Sequence, residues 1–474
     1  MVVTPRRPWW PATALCALLL ALALPARADD DLLRIRLFDR ENPKALTISS
    51  EDGLLLYAGD ATEPMQHLGR NASVRISVRG TELFVEVDDL RLHATSLRVR
   101  PDGANPMTLT ATTAGDETVT RRYPGTLTLT PGPDGALVVV NYVDVETYVA
   151  AVVAREYGFD DLEGAKAMAV LIRTYALRAL GKFGADYDHV DHTLSQVYQG
   201  LDRISEVARE AARQTAGEIL TYRGEPVEAV YFASSGGHTA DNETVWEAAS
   251  RPYLRGKRDP YDRSPHASWQ FRANRSELLA ALSDAFGQQV EGFLIEERSR
   301  DGRVRTITLL GSPERTVTGN AFRLAVLKRF GPTSLKSTLF DARVQGNQYV
   351  FDGRGFGHGV GLSQWGAHEM ARQGHDYRDI LAFYYTDVQI QRNADYAALL
   401  ARRDTPPALA DAMPRPETPV SADLTAGSSR AEPDDAAPLP PPRPQRAEPE
   451  RAILSWTGPA RTSFRRSQPR RLGW

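Results

Sequence analysis

Between residue 32 and about residue 140 the apolar residues tend to alternate with polar ones in short runs. Beyond Asp144 they recur every three or four positions. The first period is that of a half-buried strand, the second that of a helix with one apolar face. Leu33-Arg-Ile-Arg-Leu37, Val74-Arg-Ile-Ser-Val78, Leu83-Phe-Val-Glu-Val87 and Leu127-Thr-Leu129 alternate or bunch β-formers between Gly, Pro, Asn and Asp turns, and 136–140 ends the section. Asp144 then caps a predicted helix with Tyr148, Val149, Val152 and Val153 on one face. Residues 163–180 predict a second, with Ala165, Met168, Ala169, Ile172 and Ala176 in register, and Ser205 caps a third that Gly217 stops. Residues 218–222 and 227–232 flank Arg-Gly-Glu-Pro as an expected hairpin that runs into Ser234-Ser235-Gly236-Gly237. Helices over 276–286, about 321–330, 368–373 and 379–385 follow, with strands around 304–310 and over 342–351. Strands and helices interleave irregularly, without a βαβ repeat. The expected class is α+β, with a β-rich N-terminal lobe over 29–135 and an irregular mixed α/β region over 136–395.

The two ends depart from this pattern. Arg6 and Arg7, the apolar stretch 12–24 and Ala26-Arg27-Ala28 read as a secretion signal over 1–28, too short to span a bilayer comfortably. The single cysteine, Cys16, lies inside it, so the mature chain has none. An exported protein of the periplasm or cell envelope that does not depend on disulfides is expected, with no transmembrane segment after cleavage. Residues 403–474 are rich in Pro, Ala, Glu and Arg and include Pro438-Leu-Pro-Pro-Pro-Arg-Pro, which predicts a disordered tail. Arg465, Arg466, Arg470, Arg471 and Trp474 cluster at its end. Removing Arg6, Arg7 and Arg27 from a chain of net charge −3 leaves about −6, a balance that does not favour nucleic acid as a partner.

One segment is chemically unusual. Phe351-Asp-Gly-Arg-Gly-Phe-Gly-His-Gly-Val-Gly-Leu-Ser-Gln-Trp-Gly-Ala367 places glycine at every second position from Gly353 to Gly361. In an extended chain those glycines share a bare face, and Arg354, Phe356, His358, Val360 and Leu362 share the other. Such a row implies close approach by another backbone, a packed side chain or a flat ligand. Strict alternation does not fit Gly-x-Gly-x-x-Gly, and Trp365 stands where a nucleophile elbow needs its second glycine.

Glu156 is an acid on an apolar helix face, seven residues after Val149, four after Val152 and three after Val153. Burial there raises a carboxyl's pKa and keeps it protonated, as a general acid requires. The competing reading is a buried Glu held by Arg155 or Arg173. Ordered blocks across the chain decide between them. They are Val140-Asn-Tyr-Val-Asp-Val-Glu-Thr-Tyr-Val, Val152-Val-Ala-Arg-Glu156-Tyr, Ala165-Lys-Ala-Met-Ala-Val with Arg173-Thr-Tyr175-Ala, Ser195-Gln196-Val-Tyr198-Gln-Gly, Ala233-Ser234-Ser235-Gly-Gly with Val245-Trp246, Pro252-Tyr-Leu, Asp259-Pro, Trp269, and Gly355 to Ala367. In this order they resemble the stage II sporulation protein D family, also called the amidase-enhancer (SpoIID/LytB) family.

The resemblance implies a peptidoglycan lytic transglycosylase, with Glu156 as its catalytic acid and glycan strands, often amidase-denuded, as substrate. Arg155 replaces a small residue beside the acid, and Tyr157-Gly158 replaces Met-Pro. One acid suffices for that reaction, because the muramyl 6-hydroxyl is itself the nucleophile; a hydrolase usually needs two carboxylates. Expected substrate-binding residues are Arg173, Tyr175, Gln196, Tyr198, Ser234, Ser235, His358, Ser363, Gln364 and Trp365. His358 reads equally as a sugar contact or a structural hydrogen bond, and each aromatic, Trp246 and Phe356 included, equally as core. An N-acetylmuramoyl-L-alanine amidase is the expected partner. The alternative function is a non-catalytic glycan-binding protein that stimulates such an amidase, and a third is a hydrolase using Asp160 or Glu243 as second carboxylate. Some family members bind zinc before the Gln-Val-Tyr block, but here only His189 and His192 remain of a ligand set, so neither metal nor other cofactor is expected. Ser234, Ser235 and His238 lack a third residue to make a serine nucleophile.

Overall fold

The computed structural model describes residues 32–246, 248–392 and 400. The expected signal segment and the Pro-rich tail lie outside these residues. Its architecture is α+β.

A seven-stranded sheet runs in the order His189–Val190, Leu33–Leu37, Leu137–Val143, Thr126–Pro131, Leu97–Pro101, Leu54–Ala58, Gln66–Leu68. A six-stranded sheet runs Thr118–Tyr123, Met107–Thr112, Ala45–Ser49, Ser73–Arg79, Glu82–Val87, Leu90–Ala94. Alternation read from the sequence is visible as burial: Leu33, Ile35 and Leu37 point inward while Arg34 and Arg36 remain half-exposed. Both sheets contribute to one hydrophobic core, which continues into the helices that follow. Leu137–Val143 carries this continuity, because it pairs with Leu33–Leu37 on one side and Thr126–Pro131 on the other.

Helix α1 (Val145–Glu156) is capped by Asp144, whose carboxylate accepts the Thr147 N–H at 2.9 Å. Asp161 caps α2 (Leu162–Arg178) in the same way through Gly164, at 2.8 Å. Ala165, Met168, Ala169, Ile172 and Ala176 of α2 are almost completely buried, so this helix is the core's central rod. Ser205 caps α3 (Glu206–Gln214). Helices α4 (Asn242–Trp246), α5 (Arg275–Phe286), α6 (Gly319–Phe330), α7 (Gln364–Arg372) and α8 (Tyr377–Tyr384) complete the described set.

Residues 269–353 form a second core that the sequence pattern does not mark off from its surroundings. Leu278 and Leu282 of α5, Phe322 and Val326 of α6, and Phe293, Ile307, Tyr349 and Phe351 of the strands fill it. Two three-stranded sheets frame it, Trp269–Asn274 with Gln348–Gly353 and Phe340–Gln345, and Gly292–Arg298 with Val304–Leu310 and Arg315–Thr318. The single strand expected over 342–351 is a hairpin, turned at Gly346, where φ is +60°.

The segments around the site depart from expectation in two ways. The hairpin at Arg223-Gly224 closes, yet its ladder joins only Thr221 and Tyr222 to Pro226 and Glu225. Tyr231–Phe232 leaves it and pairs in parallel with Leu362–Ser363 at the end of the glycine run. Nor is that run an extended strand. Gly355, Gly357, Gly359 and Gly361 all take positive φ, +75°, +108°, +89° and +78°, so the chain winds as a loop that L side chains rarely adopt. Close approach, however, is real. A Cβ at Gly361 would lie 2.1 Å from the Val230 carbonyl oxygen, and one at Gly359 would enter the Arg303 guanidinium.

Candidate active site

Glu156 is the last residue of α1 and is half-buried. Its Oε1 accepts the Val197 N–H at 2.9 Å. Burial raises its pKa above the ordinary carboxyl range, and the Val197 hydrogen bond and the Arg155 charge draw it back in part. The carbonyl end of a helix also disfavours a negative charge, so its position on α1 acts in the same sense as burial. Arg155 is held aside by the side chain of Gln199.

Three polar side chains line up beside the acid. Tyr148 donates to Gln196 Oε1 at 3.1 Å, and Gln196 Nε2 donates to the Tyr231 hydroxyl at 3.3 Å. Burial lifts the Tyr148 and Tyr231 phenols well above their usual range, and the Glu156 charge adds to the rise in both. They are neutral hydroxyls at any working pH. Tyr175 stands near the same group, its ring tilted against His189 with centroids 5.7 Å apart. Gln364 Nε2 donates to the Glu156 backbone carbonyl at 2.7 Å. That bond fastens the start of α7 to the end of α1.

The glycine run brings α7 there. Ser363 caps α7 by accepting the Gly366 N–H at 3.3 Å, and Trp365 N–H donates to the Ala233 carbonyl at 3.0 Å. His358 stands behind Tyr231. Its Nε2 lies 2.9 Å from the Tyr231 carbonyl, and its Nδ1 accepts the Val360 N–H at 3.2 Å. A carbonyl only accepts and an N–H only donates, so the network assigns the proton to Nε2 and leaves the ring neutral. Both nitrogens are thus used in holding backbone. Burial pushes the His358 pKa down to about 3, with Arg323 and Arg303 adding to it and the Tyr231 bond opposing. An unfolded histidine titrates near 6.5, so the stability contributed by neutral His358 is complete above that pH and is lost as pH falls toward 3. The stability gap between wild type and His358→Gln is therefore expected to narrow between pH 7 and pH 4 in urea unfolding. A gap that does not change with pH would contradict this role.

Several expected substrate residues are placed elsewhere. Arg173 is fully buried at the far end of α1, where Nε donates to Glu146 at 3.0 Å and NH1 to the Glu218 carbonyl at 2.9 Å. Tyr198 is core; its hydroxyl donates to Asn141 at 2.8 Å and its ring packs on Tyr123 and Tyr148. Ser234 and Ser235 both donate to Asp262 Oδ2, at 2.8 and 2.9 Å, and the Gly236 N–H joins them at 2.7 Å. That cradle fixes a turn. Ser234 also bridges to Phe356 through paired backbone bonds, which ties the turn to the glycine run. Among the alternative groups, Glu243 is clasped by Arg255 at 2.6 Å, which lowers its pKa. His192 pairs with Asp39 at 2.8 Å, and His189 Nε2 lies 2.9 Å from the Ala176 carbonyl. His238 Nδ1 lies against the Thr239 carbonyl.

Sequence reading missed Tyr231 and the Val197 N–H as neighbours of the acid. Tyr148 was legible on the apolar face of α1. Tyr231 was not, because a parallel pairing over more than a hundred residues places it there.

Comparison with known proteins bears on the same residues. The family model described as stage II sporulation protein matches residues 133–222, which include Glu156, Gln196 and Val197. A second, described as a domain of unknown function, matches residues 263–361, close to the extent of the second core. An uncharacterised protein of Brachyspira hyodysenteriae is 32% identical over 275 residues, 56% of this chain and 72% of that one. The stage II sporulation protein D of Bacillus subtilis is 30% identical over 272 residues, 53% of this chain and 75% of that protein. The amidase enhancer of the same organism is 29% identical over 272 residues, 47% of this chain and 37% of its own length.

Proposed function

The chain belongs to the stage II sporulation protein D and amidase-enhancer family, and from that premise we propose that it cleaves peptidoglycan glycan strands as a lytic transglycosylase. The observation that carries this reading is Glu156, a half-buried carboxyl with raised pKa, one N–H donor on Oε1 and neutral tyrosine and glutamine side chains beside it. Protonated Glu156 donates its proton to the glycosidic oxygen as the bond to the muramyl anomeric carbon breaks. The resulting carboxylate accepts the proton of the muramyl 6-hydroxyl, whose oxygen closes onto the anomeric carbon and gives a 1,6-anhydro end. Reactant and nucleophile are parts of one sugar, so no water need be positioned. The proton returns to Glu156, and the site is ready again.

The setting proposed is the cell envelope, and none of the described helices is long and apolar enough to cross a membrane. Mass spectrometry of denuded strands treated with the purified protein tests the reaction. Anhydro-muramyl ends are expected. Reducing-end muramic acid would indicate hydrolysis with a second carboxylate. Intact strands together with a stimulated amidase would favour the non-catalytic role that the amidase-enhancer relative's name suggests.

A further inference from the structure

A cavity of about 190 Å³ lies beside α7, lined by Arg263, Trp365, His368, Glu369 and Arg372. Four of these residues follow one another at helical spacing from Trp365 and so share one face of α7. Gln364, at the start of that helix, is the residue bonded to the Glu156 carbonyl. One glutamine side chain and one Cα step separate Trp365 from the end of α1, a distance on the order of 10 Å. The cavity therefore adjoins the acid without containing it.

Its floor is rigid. The Trp365 ring meets Phe159 edge-on at 4.8 Å, and Phe159 stacks on His368 at 4.2 Å and 10°. His368 Nδ1 is bonded to Asp161 at 2.6 Å, and Asp161 is the cap of α2. The tryptophan is thus held in place by the end of one helix and the start of another. The arginines beside it are exposed by contrast. Arg263 and Arg372 are 69% and 67% exposed, and both lean on the single carboxylate of Glu369, at 3.5 and 3.7 Å. Two guanidiniums share one carboxylate, which leaves an excess of positive charge in the cavity that Trp365 also lines. Glu369 itself is only 13% exposed, but the two arginine arms are exposed and their contacts to it are long and worth little to stability, so they can engage a ligand carboxylate beside it at small cost.

We infer that this cavity is a subsite for a carboxylate-bearing muramyl residue, with the sugar against Trp365 and the carboxylate held by Arg263 and Arg372. A planar guanidinium fork suits a carboxylate, and an indole suits the apolar face of a sugar ring. The inference rests on the glycan-strand reading above and adds to it a residue-level basis for selecting muramyl strands over other β-linked glucosamine polymers. The carboxylate has two sources in peptidoglycan. It is the lactyl carboxylate where the stem peptide has been removed, and a peptide carboxylate where it has not.

Titration calorimetry in the Glu156→Gln background measures binding without cleavage. The ligands are denuded glycan, peptide-bearing glycan and a chitin oligosaccharide of equal length, which has the same backbone and no carboxylate. Carboxylate-bearing strands are expected to bind about tenfold more tightly than chitin, and Arg263→Gln with Arg372→Gln is expected to remove that preference. Chitin binding should change by less than about twofold, since both arginines are exposed and the fold is untouched. Trp365→Ala should weaken all three ligands. Preference for denuded strands identifies the lactyl group, and preference confined to peptide-bearing strands identifies the peptide. Equal binding of chitin and glycan, or a preference that survives loss of both arginines, overturns the subsite. Absence of anhydro products from the wild-type protein would instead overturn the reaction and leave an arginine-dependent preference standing.

Discussion

Glu156→Gln is expected to lower glycan cleavage by roughly 100- to 10,000-fold, the usual contribution of a positioned proton donor. Glutamine matches glutamate in shape and can accept the Val197 N–H through its own Oε1, so the pocket is preserved. It has no proton to give to the leaving oxygen. The pH dependence follows from the raised pKa. The acid form is active, so cleavage declines as pH rises through the elevated value, later than an ordinary carboxyl would permit. Stability runs the same way. Between the ordinary carboxyl value of 4.5 and the raised one, the folded state binds more protons than the unfolded state, and stability falls as pH rises. Glu156→Gln should therefore be at least as stable as the wild type at neutral pH. A variant that is folded yet cleaves within tenfold of wild type would remove Glu156 from the chemistry.

Arg173→Met is expected to do the reverse, costing about 3 kcal/mol of stability while sparing the chemical step in molecules that remain folded. Arg173 is completely buried and joins α1, α2 and the strand Glu218–Tyr222 through Glu146 and the Glu218 carbonyl. Methionine can occupy much of the stem's volume. It cannot neutralise Glu146, whose side chain is only 30% exposed, and it leaves the Glu218 carbonyl without its donor. Unfolding in urea gives the cost, and kcat measured well below the melting temperature gives the chemical step. An unchanged midpoint with a raised KM would restore Arg173 to the substrate side.

The contrast between these two residues shows how far local pattern reaches. Glu156 stood out as a carboxyl on an apolar helix face, but that spacing suits a buried ion pair as well, and the ordered family blocks, not the local pattern, favour a general acid; Asp144 marks where that helix starts. Arg173 stands two residues before Tyr175 on α2, and the two have different surroundings: Tyr175 packs on His189, Arg173 is fully buried against Glu146 and the Glu218 carbonyl. Nothing in their spacing separates the two fates. His358 had two readings of equal weight, and the partners of its nitrogens, a carbonyl from residue 231 and a nearby N–H, place it behind the site as a support.

The sequence by itself determined the α+β class, the change of period near residue 144 and the caps at Asp144 and Ser205, because each depends on neighbours within a few turns of chain. Tertiary structure alone decided that residues 269–353 have a core of their own, since its strands and helices have the same local periods as the rest. It also decided the form of the glycine run. Alternating glycines suit either a bare strand face or a loop with alternate positive φ, and the choice lies with what approaches them. Here Val230, Phe232, Ser234 and Arg303 approach, the loop winds between them, and α7 is delivered to the end of α1 where Glu156 stands.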